Sequence, residues 1–258
     1  MTEPQPRGNF RQQAILEELR RAGGVSRINT LAAALDVSEE TVRRNIKRLA
    51  DSGLVEKMHG GARLVSEQEA DLHHRIAENP DAKRKIARAV ADLLPDGASL
   101  FLDIGSTTTY IAQALLGHRN LLVVTNSVAV AYKLACRNDN RVFMAGGELR
   151  PHDGGAFGAD AMEFAARFQT DFAILSAAAI DASTGLMLHD MEEAKFSRLI
   201  MKNAGCRIVA ADARKFHRSA PICAADLSIV DILVTDETPP ADLLAMASEQ
   251  GIEIVTAN

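Results

Sequence analysis

Residues 38–62 read SEETVRRNIKRLADSGLVEKMHGGA, and their periodicity decides how the N-terminal part of the chain folds. Ser38 is placed to cap a helix whose first turn holds Glu39 and Glu40, acids suited to the positive end of the helix dipole. At about 100° per residue, Ile46 and Leu49 fall within about 40° of Val42 and form an apolar stripe. Thr41, Arg43, Arg44, Lys47 and Arg48 fall on the opposite arc, so four cations share one exposed face. The helix is expected to run to Ser52, with Gly53 after it. Leu54–Lys57 and Ala62–Val65 then read as two strands of a wing joined by the turn His59-Gly60-Gly61.

Upstream, Ile15, Leu16, Leu19 and Ala22 mark one face of a helix from Arg7 to Arg21, which Gly23-Gly24 stops. A second, short helix follows Ser26 as N-cap and buries Ile28, Leu31, Ala32 and Leu35 before the turn at Asp36-Val37. Taken alone, a cationic helix is an ordinary solvated surface. A short helix, a tight turn and then a cationic helix is the order of a helix-turn-helix, whose second helix enters the major groove of DNA. Lys57, His59 and Arg63 are then candidates for phosphate contacts beside the groove. The charge distribution permits this: residues 1–66 carry 11 Lys and Arg against 8 Asp and Glu, whereas the remainder carries 18 against 26. Phosphate binding depends on local potential, so a net charge of −5 does not oppose it.

The same stretch, with its HGGA wing, resembles the DeoR-type family of transcription regulators. The resemblance implies contact with double-stranded operator DNA by Thr41, Arg43, Arg44 and Arg48, with Ser38 at the helix start. Asn45 departs from the family pattern, which has Asp after the Arg-Arg pair; the change removes a negative charge and an ion pair it could make.

With 258 residues, 47% of them hydrophobic, the chain can bury a substantial core. No run approaches the roughly 20 apolar residues of a membrane span, and MTEPQPRGNFRQQ lacks the apolar stretch of a secretory leader. A cytoplasmic protein with no membrane partner is expected. Cys136, Cys206 and Cys223 show no ligand spacing and read as buried or idle thiols. Residues 67–81 read as an exposed linker, because apolar periodicity lapses and His73-His74-Arg75 and Asn79-Pro80 interrupt it. Adjacent histidines diverge on any regular element, so neither a metal site nor a cofactor is expected. The expected organisation is a DNA-binding winged helix-turn-helix over 1–66, the linker, and a second domain over 82–258.

That second domain opens with a helix from Ala82 to Leu94, carrying Ile86, Ala89, Val90 and Leu93 on one face. Short apolar strands follow at 99–104, 121–124, 142–145, 172–175, 208–211, 229–234 and 252–255, most of them separated by helical patterns. The alternation predicts an α/β fold with a doubly wound, mainly parallel sheet covered on both faces. Ligands in such a sheet bind outside the carboxyl ends of the strands. The residues found there are Asp103, Gly105, Ser106, Thr107 and Thr108, then Thr125, Asn126 and Ser127, then Gly146, Gly147 and Glu148, and finally Asp212 and Lys215. Glycines admit close backbone approach, hydroxyls donate hydrogen bonds, and a helix N-terminus offers N–H groups to an anion. Lys215 supplies a positive charge, and Asp103 and Asp212 can accept hydroxyl protons.

The order DIGSTT, VVTNS, AGGELRPHDGG, EEAKFSR and ADARKFHR resembles the sensor domain of the same family, which shares its fold with sugar-phosphate isomerases and coenzyme A transferases. The likeness implies a homo-oligomeric repressor released from DNA by a small phosphorylated effector, such as glycerol 3-phosphate or a sugar phosphate. Three positions depart from the pattern: Ser176 and Ala179 replace glycines, and Ser197 stands where Lys is common, with Arg198 as a neighbouring substitute. Two other functions compete. An enzyme of the isomerase or transferase type requires a placed acid or base, for which Glu148, Glu192, Glu193 and Asp103 are available. A metabolite-binding protein whose N-terminal module contacts another protein predicts no salt-sensitive affinity for DNA.

Overall fold

In the computed structural model, residues 7–22, 25–51, 54–58, 60–64 and 71–257 are described. Contacts divide the chain into two units, Met1–Glu69 and Ala70–Asn258. Gly23-Gly24, Ser52, Gly53, His59, Val65 and Ser66, assigned from sequence to helix ends, wing and linker, lie outside the described residues.

The first unit contains α1 (Arg7–Arg21), β1 (Val25–Arg27), α2 (Ile28–Ala34), α3 (Glu39–Asp51), β2 (Val55–Met58) and β3 (Gly61–Leu64). Ile15 and Leu19 of α1, Leu31 of α2, and Val42, Ile46 and Leu49 of α3 bury their side chains together with Val55 and Ala62. The apolar stripe read from the sequence is therefore the core stripe. The wing differs from expectation. It is the three-stranded antiparallel sheet β1-β3-β2, and Ser26, expected to cap α2, is instead a buried residue of β1 paired with Ala62. Arg27 occupies the N-cap position without a side-chain cap bond. Gly60 turns the hairpin at φ +76°, and a Cβ on Gly61 would lie 2.5 Å from the Ser26 carbonyl oxygen. The Gly-Gly pair is thus what lets β1 lie against the hairpin.

The second unit begins with α4 (Leu72–Ala77) and α5 (Pro80–Asp92). A helix within 67–81 contradicts the linker reading for that segment. Leu72 is buried, and its N–H donates to the His152 carbonyl at 3.0 Å. Then come β4 (Ser99–Leu102), α6 (Ser106–Ala114), β5 (Leu122–Thr125), α7 (Val128–Leu134), β6 (Arg141–Met144), α8 (Ala159–Ala165) and β7 (Thr170–Leu175). The chain continues through β8 (Ala179–Asp181), β9 (Gly185–Leu188), α9 (Met191–Lys202), β10 (Ala204–Ala210) and β11 (Ile222–Ala225), and ends with β12 (Ile232–Thr235), α10 (Ala241–Gln250) and β13 (Glu253–Thr256).

The seven runs predicted as strands form one sheet of order β13-β12-β10-β7-β4-β5-β6, parallel throughout. Alternate residues of each strand enter opposite cores, as a strand's period of two requires. Leu100, Leu102, Val123, Ile174, Ile208 and Val234 pack with Ile86 and Val90 of α5, Ile111 of α6, and Val130 and Leu134 of α7. Phe101, Val124, Ala173, Leu175, Val209 and Leu233 pack with residues of α8, α9 and α10. Both faces are covered, which is the doubly wound arrangement. A small antiparallel sheet, β11-β9-β8, joins the second of these cores through Ile180, Leu186 and Leu188. The neighbours β4 and β7 send the chain in opposite directions, to β5 and β6 on one side and to β10, β12 and β13 on the other.

Ile46, 3% exposed, belongs to the core shared by α1, α2, α3, β2 and β3. Ile46→Ala is expected to destabilise that unit by about 2–5 kcal/mol. Urea unfolding of the full chain followed by far-ultraviolet dichroism checks this, the variant losing helix at lower urea.

Candidate functional site

On α3, Val42, Asn45, Ile46 and Leu49 are buried, Arg43, Arg44, Lys47 and Arg48 are exposed, and Thr41 is half-buried. The four cations therefore do share one face. Ser38 caps the helix: the Thr41 N–H donates to Ser38 Oγ at 3.3 Å, and the two hydroxyls are 2.9 Å apart. Arg43 pairs with Glu39 at 3.0 Å. Asn45 Nδ2 donates to the Thr41 carbonyl at 2.8 Å. A carboxylate could not make that bond, so the departure at position 45 is satisfied within the helix. Lys57 on β2 and Arg63 on β3 are exposed, and Arg63 is bonded twice to Glu56 across the hairpin, at 2.6 and 3.2 Å. His59 lies outside the described residues.

A second set of residues meets where the strand order reverses. After β4, Asp103 is 2% exposed; its Oδ1 accepts from the Ile104 N–H at 2.7 Å and its Oδ2 from Ser197 Oγ of α9 at 3.1 Å. Position 197 thus carries a hydroxyl that orients Asp103, in place of the cation common there. Gly105 precedes α6 and provides no side-chain cap for the first turn, where Ser106, Thr107 and Thr108 are all buried. Such a turn presents backbone donors and the positive end of the helix dipole. Thr108 and Thr109 hydroxyls bond the Gly105 carbonyl at 3.1 and 2.7 Å. A Cβ on Gly105 would stand 2.2 Å from Ser176 Oγ, so the Ser176 side chain occupies the space against this turn. Ala179, the other departure from glycine, is fully buried.

After β5, Thr125 Oγ1 donates to the Leu102 carbonyl at 2.6 Å, and Ser127 caps α7 by accepting from the Val130 N–H at 3.3 Å. These two hydroxyls hold the turn. Asn126 between them is fully buried, and neither its Oδ1 nor its Nδ2 has a hydrogen-bond partner among the described residues. An unpaired buried amide is costly, and this one stands at the carboxyl end of a parallel strand. After β10, Asp212 is 1% exposed; Oδ1 accepts from Arg214 Nε at 2.9 Å, while Oδ2 is buried without a hydrogen-bond partner among the described residues. Burial pushes the Asp212 carboxyl up, yet the Arg214 hydrogen bond and the charges of Arg214, Lys215 and Lys83 hold it below the usual range. Lys215 is half-buried beside it.

Lys83 is the residue that sequence reading missed. It sits in the first turn of α5, 2% exposed, with Nζ bonded to the carbonyls of Arg75 and Glu78, the latter at 2.8 Å. Burial lowers its pKa from 10.5 to about 8, with Asp212 opposing the shift. Arg150 was also missed. Its guanidinium lies 4.0 Å from the Phe157 ring centroid, bonds Asp153, and reaches Glu193 at 3.4 Å and Asp190 at 3.6 Å. These acids outweigh the effect of burial and raise its pKa. Arg150 thereby fastens the loop after β6 to α9. The pairing of ELR with HDGG in this loop is the local signal that could have revealed it.

Not every predicted residue is buried. Gly146, Gly147 and Glu148 are exposed, and the two glycines border an open cleft with Asp160, Phe164 and Arg167, because β6 is the edge strand. Arg198 does not stand in for a cation at 197; its Nε donates to the Ala224 carbonyl at 2.6 Å. Of the carboxylates considered for catalysis, Glu192 pairs with Lys195 at 2.6 Å and Glu148 is exposed, while Glu193 and Asp103 are buried. His74 pairs with Glu78 at 3.3 Å, and among the described residues no three His, Cys, Asp or Glu side chains form a metal cluster. Cys136 and Cys223 are exposed, not buried, and Cys206 is half-buried. No helix among the described residues is long and apolar enough to cross a membrane.

Two family models match. The DeoR C terminal sensor domain matches residues 78–237, and the DeoR-like helix-turn-helix domain matches residues 11–68. The glycerol-3-phosphate regulon repressor of Escherichia coli (strain K12) is 37% identical over 245 residues, covering 95% of this chain and 97% of that protein. The HTH-type transcriptional repressor CsqR of the same strain is 38% identical over 249 residues, covering 96% and 95%. A solved D-ribose-5-phosphate isomerase in complex with phospho-erythronic acid aligns with 53% of this chain and 54% of its own, at 19% identity and a TM-score of 0.39.

Because Lys83 titrates at about 8 when folded and near 10.5 when unfolded, the folded chain binds fewer protons between those values. The stability tied to this residue is therefore complete above the upper value and lost as pH falls through the lower one. The unfolding free energy of the wild type minus that of Lys83→Met should rise by about 3 kcal/mol across this window. Urea denaturation at several pH values measures it, and a flat difference would mean that Lys83 is not desolvated.

Proposed function

The chain belongs to the DeoR family of DNA-binding transcription regulators, and from that premise we propose that its buried strand-end site binds a small phosphorylated polyol or sugar. The observation that carries this reading is the juxtaposition of the uncapped, buried first turn of α6 with Asn126, whose two polar side-chain atoms lack partners. Backbone N–H groups at a helix N-terminus donate to the oxygens of such a ligand. An amide that both donates and accepts suits a hydroxyl, as do Asp103 and Asp212. Lys215 and Lys83 supply positive charge at the β10 end. The names of relatives that regulate a glycerol-3-phosphate regulon support glycerol 3-phosphate as the first compound to try.

In this reading Arg44, Lys47 and Arg48 meet operator DNA together with Thr41 and Arg43, while Lys57, His59 and Arg63 flank the groove. The protein is a cytoplasmic homo-oligomer, which sets two N-terminal units about 34 Å apart, one turn of DNA. Effector binding favours an arrangement in which that spacing fails, and repression is relieved. The coupling needed is about 1–3 kcal/mol. Regulation rather than catalysis is supported by the scatter of the carboxylates, since Glu192 is engaged by Lys195 and Glu148 lies at the exposed edge.

A thermal-shift screen of glycerol 3-phosphate and other sugar phosphates tests the site. A ligand at about 100 times its dissociation constant stabilises the protein by about 2.7 kcal/mol. Asn126→Ala should abolish the shift without loss of fold, and the absence of any shift in the wild type would refute a phosphorylated effector. For DNA, Arg44→Ala should weaken operator binding by about 1–3 kcal/mol and leave effector affinity unchanged. Titrations at several salt concentrations check this, and unaltered DNA affinity would remove Arg44 from the interface.

A further inference from the structure

Residues 71–79 follow the N-terminal unit in the chain, and several of their fastenings come from elements that carry the proposed effector site. The Leu72 N–H donates to the His152 carbonyl in the loop after β6, at 3.0 Å. Tyr110 of α6 donates its hydroxyl to the Ile76 carbonyl at 3.1 Å. Lys83 Nζ holds the carbonyls of Arg75 and Glu78. The Glu78 carboxylate stands 3.9 Å from both Arg214 and Arg218, just past the end of β10. Two of these cations have a second role, since Arg214 bonds Asp212 and Lys83 lies within its electrostatic reach.

We propose that residues 71–79 form a latch that competes with the anionic effector for Lys83 and Arg214. With the latch closed, the ammonium and the guanidinium serve the Arg75 and Glu78 carbonyls and the Glu78 carboxylate. Ion pairs as long and as exposed as Glu78–Arg214 are weak, whereas a guanidinium binds phosphate through two parallel, charge-assisted hydrogen bonds. A phosphate arriving beside Asp212 therefore draws the cations to itself, and the turn that ends α4 loses its anchors. The segment next in sequence to the DNA-binding unit is then freed. This inference rests on the effector reading above and names how occupancy of that site is passed on.

Two full-length variants test it. Glu78→Gln weakens the latch by removing a charge, and Tyr110→Phe weakens it without changing any charge. Amide hydrogen exchange at Leu72, Arg75 and Glu78 should quicken at least fivefold in both variants, and in the wild type on adding inorganic phosphate or glycerol 3-phosphate. Because linkage is reciprocal, both variants should bind these anions several-fold more tightly. The gain in Tyr110→Phe is decisive, since electrostatics alone would produce one only in Glu78→Gln. If the anions raise the melting temperature of the wild type but exchange at the three amides stays unchanged, the latch is overturned and the effector site stands. If no phosphorylated compound shifts melting at all, the effector reading fails and the competition fails with it.

Discussion

The second unit is governed by the adjacency of β4 and β7 in the sheet, two parallel neighbours from which the chain departs to opposite sides. Connections that diverge in this way leave the carboxyl ends between them uncovered. The α6 N-terminus, Asn126, Ser176 and Asp212 follow four contiguous strands, β4, β5, β7 and β10, so they are gathered by topology before any side chain is chosen. Sequence then fills in the chemistry. Gly105 is held to hydrogen at its α-carbon by the hydroxyl of Ser176, and Ser197 fixes the carboxylate of Asp103.

The departures from the family pattern make sense together on this floor. A lysine at 197 would place its charge near Asp103; here that position is a short hydroxyl, and positive charge lies around Asp212, from Lys83, Arg214 and Lys215. The site has a polar, hydroxyl-rich side under β4 and a cationic side under β10. Adjacent strands lie about 4.8 Å apart, so the two sides are separated by roughly 10 Å. A molecule with a charged end and a hydroxylated end matches that division.

Strands buried on both faces were legible because they read as continuous apolar runs, and α3 because Val42, Ile46 and Leu49 recur at helical spacing. Other elements left no such trace. β1 has three residues and exists as a strand only through its pairing with β3, and β8 is equally brief. α4 buries Leu72 and is held in part through its backbone N–H and carbonyl groups, which periodicity does not register. Lys83 looked like an ordinary polar residue ahead of Ile86; its burial follows from carbonyls at 75 and 78 that only the folded chain presents. The edge position of β6 was likewise invisible, and with it the exposure of Gly146, Gly147 and Glu148.

The pairing of β1 with the wing has a mechanical meaning. β1 leads straight into α2, α2 packs on α3, and α3 leads into β2, so wing and recognition helix are stitched into one closed circuit around Ile46. The spacing of α3 from the hairpin is thus fixed by covalent and hydrogen-bonded geometry. Strain applied to any one of these elements is therefore shared by the others, as a load on one bar of a closed frame is carried by all of them.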